Sequence, residues 1–492
     1  MIPFGEWLPD LPELNNPGAT IATNAIPLVS SYTQWRRLNA FSTALDGRPR
    51  GGISAKNSSA VVVTYCGTND KLYRLIDAAM TDASKVGGYH LTGDEVWEFA
   101  VWGNQVIATA ITDPVQAIAI GGTAFADLLT STRKPNARHI AVVRDFVVLG
   151  NVTDSVDGDM PNRVWWSAIN NSANFDPADA TQCDFQDLQG PGQEVQKVIG
   201  GEYGVILQRR AIQRMTYEGP PTIFRFDQVE TLRGAVCPGG VAALGNLVFY
   251  LSDDGFYAFD GSASQPIGQG KVDRTFWNDV DPANLSRISC VIDPINSLVA
   301  WAYPGPGNNG GRPNKMLLFN WKAARWSRCE GEVEAVFQPA TSTYSLDGLD
   351  AVKGPNIDAD PGFLVDDPQF QGGTLSLGGF DAGNKFGYFN GVPATAILET
   401  GEAEIAEGRR AFISGVRPVI NGADPSQMTV QAGTRNLQTD GVTWSSAAGI
   451  NPVTGKADMR IAAQFLRGRV TIPGGFSHAS GVAPDIKPEG LR

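Results

Sequence analysis

The feature that most constrains the fold of this chain is a repeated unit of two short apolar strands, joined by a tight turn and followed by a third strand. The dipeptides Gly103-Asn104 and Gly245-Asn246 form two of these turns. Glycine followed by asparagine supplies the positive φ angles that tight hairpins require. The second strands of successive units recur every 40 to 60 residues or so, and they are centred on Val62, Ile107, Val147, Val205, Val248 and Val299.

A repeat of this length, made of strands with no helix pattern between them, predicts the blades of a β-propeller in an all-β chain. The 56 glycines and 31 prolines also favour many short strands over long helices. Because one blade cannot bury both of its faces, neighbouring blades must stack around an axis until the ring closes. Six units can be counted and residues 375–389 offer a seventh, so we favour six blades, with seven or eight also compatible. Two stacked β-sandwiches are the alternative fold.

The sequence pattern changes after residue 392. Four strand candidates follow, and the alternation in the third of them is typical of a half-buried strand. We therefore predict that residues 1–392 form the propeller with an N-terminal extension, and that residues 393–492 form a small additional β-sandwich-like domain. The four candidates are Thr395-Ala-Ile-Leu-Glu-Thr400, Arg410-Ala-Phe-Ile-Ser-Gly-Val416, Met428-Thr-Val-Gln-Ala432 and Phe465-Leu-Arg-Gly-Arg-Val-Thr-Ile472.

The charge is acidic overall and unevenly distributed. The chain has 39 lysines and arginines against 51 aspartates and glutamates, a net charge of -12. This balance disfavours a protein that binds nucleic acid by neutralising phosphates. Residues 321–407 hold 14 acidic against 5 basic residues, net -9, whereas residues 408–492 hold 10 basic against 5 acidic, net +5. Such segregation indicates surfaces that meet different neighbours, with chance clustering as the alternative.

The sequence also indicates the cellular compartment in which the protein folds. The first ten residues lack the basic and apolar regions of a signal peptide, and no apolar run approaches the ~18 residues of a membrane helix. The cysteines are odd in number and contain no CxxC pair, which disfavours disulfides and a zinc site. We expect buried, reduced thiols and folding in a reducing cytoplasm. The cysteines are Cys66, Cys183, Cys237, Cys290 and Cys329.

Motifs that carry chemistry are scarce. The three histidines, His90, His139 and His478, lie far apart, and no HExxH or GxSxG motif occurs. The segment Gly268-Gln-Gly-Lys-Val272 lacks the spacing and the hydroxyl residue of a phosphate-binding loop. The segment Asn356-Ile-Asp-Ala-Asp-Pro-Gly362 lacks the closing glutamate of a calcium loop, so a solvated acidic turn is favoured. We therefore predict no catalytic, cofactor or metal-binding residues and no enzymatic activity.

A carbohydrate-active or carbohydrate-binding propeller is the alternative function. Ser252-Asp-Asp-Gly-Phe-Tyr257 is similar to the Asp-box turn of sialidases, but its glycine directly follows the aspartate and the tryptophan is missing, so we interpret it as a turn between two strands. Sugar hydrolysis needs two carboxylates a few ångströms apart, and the sequence places no such pair. Tryptophans could serve as sugar platforms, but those in strand patterns are better explained by core packing: Trp97, Trp165, Trp301 and Trp326.

A series of short, turn-rich segments runs through most of the chain. In the first 80 residues these are Trp7-Leu-Pro-Asp-Leu-Pro12, Asn16-Pro-Gly18, Asn24-Ala-Ile-Pro27, Tyr32 and Gly67-Thr-Asn-Asp-Lys-Leu-Tyr73. Later ones are Trp166-Ser167, Gly200-Gly-Glu-Tyr-Gly204, Asp254-Gly-Phe-Tyr257, Asp260-Gly261, Pro266-Ile-Gly268, Lys271-Val-Asp-Arg274, Gly408-Arg-Arg410 and Phe465-Leu-Arg-Gly-Arg-Val470. In this order the series resembles the nozzle or hub proteins of short-tailed bacteriophages, ring-forming β-propellers at the end of the tail.

The resemblance implies a structural protein of the virion tail, assembled in the cytoplasm of the bacterial host. It implies a homo-oligomer, with a hexameric ring favoured, that extends and gates the DNA channel below the portal and adaptor until ejection. The implied partners are further copies of the chain, the tail adaptor, tail fibre proteins and double-stranded DNA that passes without specific binding; no membrane is involved.

Net acidity is compatible with this expectation, because an acidic wall repels the phosphate backbone and lets a duplex slide. A closed ring also needs contacts between unlike patches, for which residues 321–407 and the basic C-terminal domain are the candidates. A propeller scaffold for other protein partners is a third functional class.

Overall fold

The computed structural model describes residues 1–13, 16–341, 373, 375–405 and 409–488. Within these ranges strands dominate, with one α-helix, Asp273–Asp279, and three 3₁₀ helices, Asp179–Thr181, Pro238–Gly240 and Pro282–Arg287. None of the helices in the described ranges has the length and apolar character that a membrane span requires.

The described residues form seven antiparallel units of four strands, which we number as blades in chain order. The innermost strand is named first in each blade. Blade 1 contains Gly52–Lys56, Val62–Gly67, Leu72–Ile76 and Ala79–Asp82; blade 2 contains Glu98–Trp102, Gln105–Ala110, Asp113–Ala119 and Ala126–Asp127; blade 3 contains Asn136–Val143, Phe146–Asp154, Gly158–Trp166 and Asp184–Asp187. Blade 4 contains Val195–Ile199, Gly204–Gln208, Ala211–Gly219 and Ile223–Thr231; blade 5 contains Val241–Leu244, Leu247–Ser252, Gly255–Phe259 and Ser264–Pro266; blade 6 contains Ser289–Asp293, Leu298–Tyr303, Lys315–Asn320 and Arg325–Glu330.

Blade 7 closes the ring with strands from both ends of the propeller sequence. Its first three strands are Val333–Phe337, Gly378–Asp381 and Lys385–Tyr388, and its fourth is Asn39–Ala44, which precedes blade 1 in the chain. Tyr388 pairs with Asn39 in this ladder. Backbone hydrogen bonds therefore join the beginning and the end of the ring.

The prediction of an all-β propeller is confirmed. The six predicted second strands are the second strands of blades 1 to 6, and residues 375–389 supply two strands of the seventh blade. The count in the described residues is therefore seven, one above the favoured number and within the predicted range. A closed ring of blades leaves no place for the alternative of two stacked sandwiches.

Large side chains fill the space between neighbouring blades. The four tryptophans that were expected in the core have exposed fractions of 2% or less: Trp97, Trp165, Trp301 and Trp326. An aromatic side chain buries about 150–250 Å², so these residues contribute strongly to inter-blade packing. The cysteines in the described residues are free, and all but the partly exposed Cys290 are buried, as predicted. Burial raises the pKa of Cys183 and Cys237 to about 12, which keeps their thiols protonated.

The remaining described strands form a β-sandwich beside blade 6, which confirms the additional β domain. The four strands predicted after residue 392 are all present in it. One sheet contains Ile2–Pro3, Ala25–Pro27, Tyr32–Gln34, Ala411–Asn421, Ala457–Ala463 and His478–Pro488. The other contains Ile21–Thr23, Ala396–Glu399, Ala403–Glu404, Thr429–Arg435, Thr443–Trp444, Ala448–Gly449 and Phe465–Ile472.

The sandwich and the propeller share a sheet. The strand Ile21–Thr23 pairs with the fourth strand of blade 6 on one side, where Thr23 lies opposite Arg328, and with Ala396–Glu399 on the other. The result is one sheet of 11 strands that runs from blade 6 into the sandwich. A hinge at this point would break backbone hydrogen bonds, so the junction is rigid. The N-terminal extension thus pairs with strands from the C-terminal region.

Candidate functional site

The innermost strands of all seven blades surround a central cavity with a volume of 990 Å³. This volume falls within the range of about 300–1,000 Å³ that is typical of small-molecule sites. A DNA duplex, whose major groove alone is about 12 Å wide, is far larger than such a pocket. A DNA conduit would therefore have to lie between several copies of the chain. Each blade contributes to the lining, for example through Ile53, Phe99, His139, Lys197, Val241, Cys290 and Phe337.

Three ionisable residues from neighbouring blades meet at this cavity and form what we call the central charge cluster: Glu98, His139 and Lys197. Nδ1 of His139 lies 2.9 Å from Oε1 of Glu98, and Nζ of Lys197 donates to the same oxygen at 2.8 Å. Glu98 and His139 are buried, with exposed fractions of 7% and 1%. The cluster therefore joins the innermost strands of blades 2, 3 and 4 by charge-assisted hydrogen bonds.

The cluster keeps Glu98 ionised. Although burial raises the pKa of this carboxyl, the positive charge of Lys197 and the contacts with His139 lower it to about 2. The other ring nitrogen of His139, Nε2, lies 3.1 Å from the carbonyl oxygen of Val195. Both partners of the imidazole are hydrogen-bond acceptors, which fixes the ring between the innermost strands of blades 2 and 4.

A second group of charges lies at the entrance of the cavity, in connections between blades and at the start of the first strand of blade 7. We call it the arginine mouth: Arg48, Arg50, Asp94, Arg287 and Glu334. Nη1 of Arg48 donates to Asp94 at 2.7 Å, and Nη2 of Arg287 donates to Glu334 at 2.7 Å. Asp94 also accepts a hydrogen bond from the hydroxyl group of Ser286. Burial raises the pKa of Asp94, but the contacts with Ser286 and Arg48 outweigh it and lower the pKa below its usual value.

Several segments on which the phage resemblance rests meet outside the cavity, around the single α-helix of the described residues. Asp10 accepts hydrogen bonds from the backbone N–H groups of Arg274 and Thr275, at 2.9 and 2.7 Å, and thereby caps Asp273–Asp279. Nζ of Lys271 donates to Glu6 at 2.6 Å. These segments thus fasten the N-terminal extension to the propeller.

Asp273 occupies a pocket formed by two glycines of the same segments. A Cβ atom at Gly255 would lie 2.3 Å from Cγ of Asp273, and one at Gly268 would lie 1.9 Å from its Oδ1. Gly255 has φ +140, a backbone conformation that side chains rarely adopt. The Asp273 carboxylate accepts a hydrogen bond from the backbone N–H of Phe256 at 3.1 Å. Burial raises the pKa of Asp273 to about 6, with repulsion from Asp10 adding to the effect.

Another of these segments, Gly200-Gly-Glu-Tyr-Gly204, joins neighbouring blades. Gly201 donates its backbone N–H to the carbonyl oxygen of Val142 at 3.0 Å, and its own carbonyl accepts from Arg144 at 2.9 Å. The turn of blade 4 is thus bonded to the turn of blade 3. This segment has a structural role that its sequence alone did not indicate.

The arginines of the C-terminal segment Phe465-Leu-Arg-Gly-Arg-Val470 belong to an internal ion network. Some of the acidic residues of 321–407 thus form ion pairs with basic residues of 408–492 within the same chain. Buried ion pairs of this kind are costly to break, because removing one partner leaves an uncompensated charge. The network contains Arg435 with Glu402 at 2.5 Å, Arg467 with Glu402 at 3.5 Å, and Arg469 with Glu399 at 2.7 Å, and Arg467 also pairs with the exposed Glu13.

The other sequence motifs have no arrangement that suggests chemistry. Gly268-Gln-Gly-Lys-Val272 leads into the α-helix, and its lysine is bound to Glu6. Ser252-Asp-Asp-Gly-Phe-Tyr257 spans the turn between the second and third strands of blade 5, as interpreted. The acidic turn at 356–362 lies outside the described residues. Within the described ranges, no group of three or more His, Cys, Asp or Glu side chains is arranged to hold a metal ion.

Sequence analysis did not identify the residues of the cavity. Glu98 and His139 are 41 positions apart, and Lys197 is 99 positions from Glu98, so no local motif connects them. A usable signal was present, since each is an ionisable residue among the apolar residues of an innermost strand. Such residues are rarely buried unless they are paired.

No protein-family model and no curated protein matches the chain. Among solved structures, BamB from Moraxella catarrhalis is 13% identical with a TM-score of 0.34, and the match covers 63% of this chain and 87% of that chain. A chain of the mitotic checkpoint complex is 9% identical with a TM-score of 0.38, and the match covers 73% of this chain and 92% of that chain. Likenesses at this level carry no argument about what this chain does.

Proposed function

We propose that this chain is a structural subunit of a short-tailed bacteriophage tail, a nozzle or hub in which several copies surround and gate the DNA channel. The observation that carries the proposal is an excess of carboxylates at one end of the propeller. A wall of this kind repels the phosphate backbone, so that a duplex slides past it and does not bind.

The strand order defines this end. In an antiparallel blade, the turn between the first and second strands and the turn between the third and fourth strands lie at the same end, which we call the acidic end. At the opposite end, carboxylates and cations are nearly balanced in the described connections. The described connections at the acidic end carry the cations Arg36, Arg37, Arg144 and Lys322 and the carboxylates Asp77, Asp145, Asp176, Asp179, Glu202 and Asp260.

A second feature favours a passive structural role. The shared sheet at Ile21–Thr23 and the hydrogen bonds that Asp10 accepts from the α-helix attach the sandwich and the N-terminal extension to the propeller. A subunit that stays in a fixed orientation within a ring needs such rigid junctions. Some of the segments that resemble nozzle and hub proteins, such as residues 7–12 and 271–274, lie at these junctions.

The carbohydrate-active alternative has less support. A glycosidase needs one carboxyl with a raised pKa beside a second carboxylate. Of the carboxylates that line the central cavity, Glu98 and Glu334 are bound by cations, the pKa of Glu98 is lowered to about 2, and Glu194 accepts a hydrogen bond from the amide of Gln196. Asp273, whose pKa is raised, does not line this cavity.

The acidic end can be tested by reversing its charge. We expect the wild-type protein to show little binding to a duplex at about 50 mM salt, whereas Asp145→Lys, Asp179→Lys and Glu202→Lys combined should create salt-sensitive binding. All three side chains are exposed. The matched control is Asp70→Lys, Asp159→Lys and Glu332→Lys, which places the same charges at the opposite end. Equal DNA binding by both triple variants, or tight binding by the wild type, would contradict the proposal.

A further inference from the structure

Arg50, in the arginine mouth, is held by neutral groups. Its Nη1 atom donates to the carbonyl oxygens of Gly93 and Glu95, at 2.8 and 2.7 Å. Its Nε–H is buried and has no hydrogen-bond partner in the described part of the chain. A buried donor without a partner is unfavourable, so a small movement of the Arg50 guanidinium toward an anion would break no existing bond at Nε.

The neighbours of Arg50 add positive charge to the same place. Burial and then the nearby charge of Arg48 lower the pKa of Arg50, with a smaller contribution from Arg287, and together they outweigh the opposite effect of Asp94 and Glu95. Burial and Arg48 also lower the pKa of Arg287. The carboxylates at the mouth already have partners, since Asp94 binds Arg48 and Ser286, Glu334 binds Arg287 and Arg312, and Glu95 accepts from Thr92 and Thr112. An anion at this point would stabilise all three crowded guanidinium groups.

Aromatic rings flank the segment that follows Arg50. Gly51 has φ +123, and a Cβ atom there would lie 2.3 Å from the carbonyl oxygen of Trp97 and 3.7 Å from the ring of Phe99. A Cβ atom at Gly52 would lie 3.2 Å from the ring of Phe337. Both phenylalanines line the cavity and are partly exposed. Because both positions are glycines, the rings of Phe99 and Phe337 can lie close to the backbone that follows Arg50.

From these contacts we propose that the central cavity is a binding site for a small organic anion, with its phosphate or carboxylate group at Arg48, Arg50 and Arg287 and its apolar body against Phe99 and Phe337. Charge-assisted hydrogen bonds from guanidinium groups supply affinity for the anionic group, and the rings supply it for the body. The site does not depend on the assembly of copies into a ring.

Calorimetric titration of the full-length protein tests this site with four probes. Phenyl phosphate and benzoate combine an aromatic body with the two anionic groups, benzyl alcohol has the body alone, and inorganic phosphate has the anionic group alone. We expect one or both aromatic anions to bind at least tenfold more tightly than benzyl alcohol. The stronger of the two identifies the preferred anionic group.

Variants separate the two parts of the site. Arg50→Gln should weaken the preferred aromatic anion by about tenfold or more, whereas Arg50→Lys should retain part of its affinity. Phe99→Leu should weaken the aromatic anion but leave the binding of inorganic phosphate unchanged. Arg210→Gln is the matched control, because Arg210 lies at the same end of the ring, is exposed and does not line the cavity. Thermal unfolding of each variant verifies that it is folded.

Three results would overturn the proposal. They are no binding of either aromatic anion at millimolar concentration, equal binding of benzyl alcohol, and a folded Arg50→Gln protein with unchanged affinity. Each of these can occur whether or not the protein assembles into rings, so the outcome is separate from that of the proposed tail function.

Discussion

The imidazole of His139 lies 2.9 Å from the carboxylate of Glu98 and thereby links the innermost strands of two neighbouring blades across 41 residues of sequence. Lys197 of the next blade binds the same carboxylate. Three consecutive blades are thus joined where their apolar cores meet the central cavity. The contacts explain why these ionisable side chains occur at the inner ends of the blade cores.

Replacing Glu98 by glutamine should destabilise the protein by about 3 kcal/mol at pH 7, the free-energy equivalent of lowering a carboxyl pKa from 4.5 to about 2. The depressed pKa means that this stability is present above pH 4.5 and is lost as the pH falls toward 2. Urea unfolding at pH 7 and at pH 3 measures it. The difference in unfolding free energy between wild type and variant should be smaller at pH 3 than at pH 7. A difference that does not depend on pH would be inconsistent with this role for Glu98.

Replacing Asp273 by asparagine should have the opposite effect and increase the free energy of unfolding. Burial raises the folded-state pKa of Asp273 to about 6 from 3.8, so its ionisation opposes folding as the pH rises from about 4 through 6. Asparagine keeps an acceptor for the N–H of Phe256 and removes the charge. We expect the free energy of unfolding of the variant to exceed that of the wild type by about 1 kcal/mol at pH 8, a value that allows for solvent screening. At pH 4 we expect no difference.

The control for this prediction is Asp260→Asn. Hydrogen bonds from the backbone of Ala263 and from Ser262 lower the pKa of Asp260 to about 2, so neutralising this residue should not stabilise the protein at pH 8. Urea unfolding at both pH values gives the comparison. A similar gain in the two variants would indicate a general charge effect and would reject the local explanation for Asp273.

Asp10→Ala removes the cap of the α-helix and should cost about 1 kcal/mol, as the loss of a helix cap does elsewhere. It also removes the repulsion that helps to raise the pKa of Asp273. We therefore expect Asp273→Asn to be less stabilising at pH 8 in the Asp10→Ala background. A double-mutant cycle measures this coupling. Additive effects of the two substitutions would show that the residues do not interact.

The repeat of the propeller could be predicted because its information is local. Gly103 and Gly245 adopt the positive φ that their Gly-Asn turns suggested, and the apolar second strands stand out by composition. The seventh blade was harder to count, because about forty residues separate its first strand, Val333–Phe337, from its second, Gly378–Asp381. Its fourth strand, Asn39–Ala44, lies almost 300 residues earlier, and no local pattern reports such a pairing.

The candidate site could not be predicted for a related reason. A ring brings together one residue from each of many repeats, and the spacing between Glu98, His139 and Lys197 follows blade lengths that vary along this chain. The same holds for Arg48, Arg50 and Arg287, which come from two separate connections between blades. The charge of a side chain can be read from sequence, whereas its partner across the ring follows only from the closed fold.

Electron microscopy of the purified protein at high concentration tests the proposed tail function most directly. The account predicts rings of several copies around a channel wide enough for duplex DNA, with the acidic end that carries Asp145 and Glu202 facing the channel. A protein that stays monomeric at all salt concentrations, or rings whose channel is lined by the opposite end with Arg210 and Arg233, would contradict it.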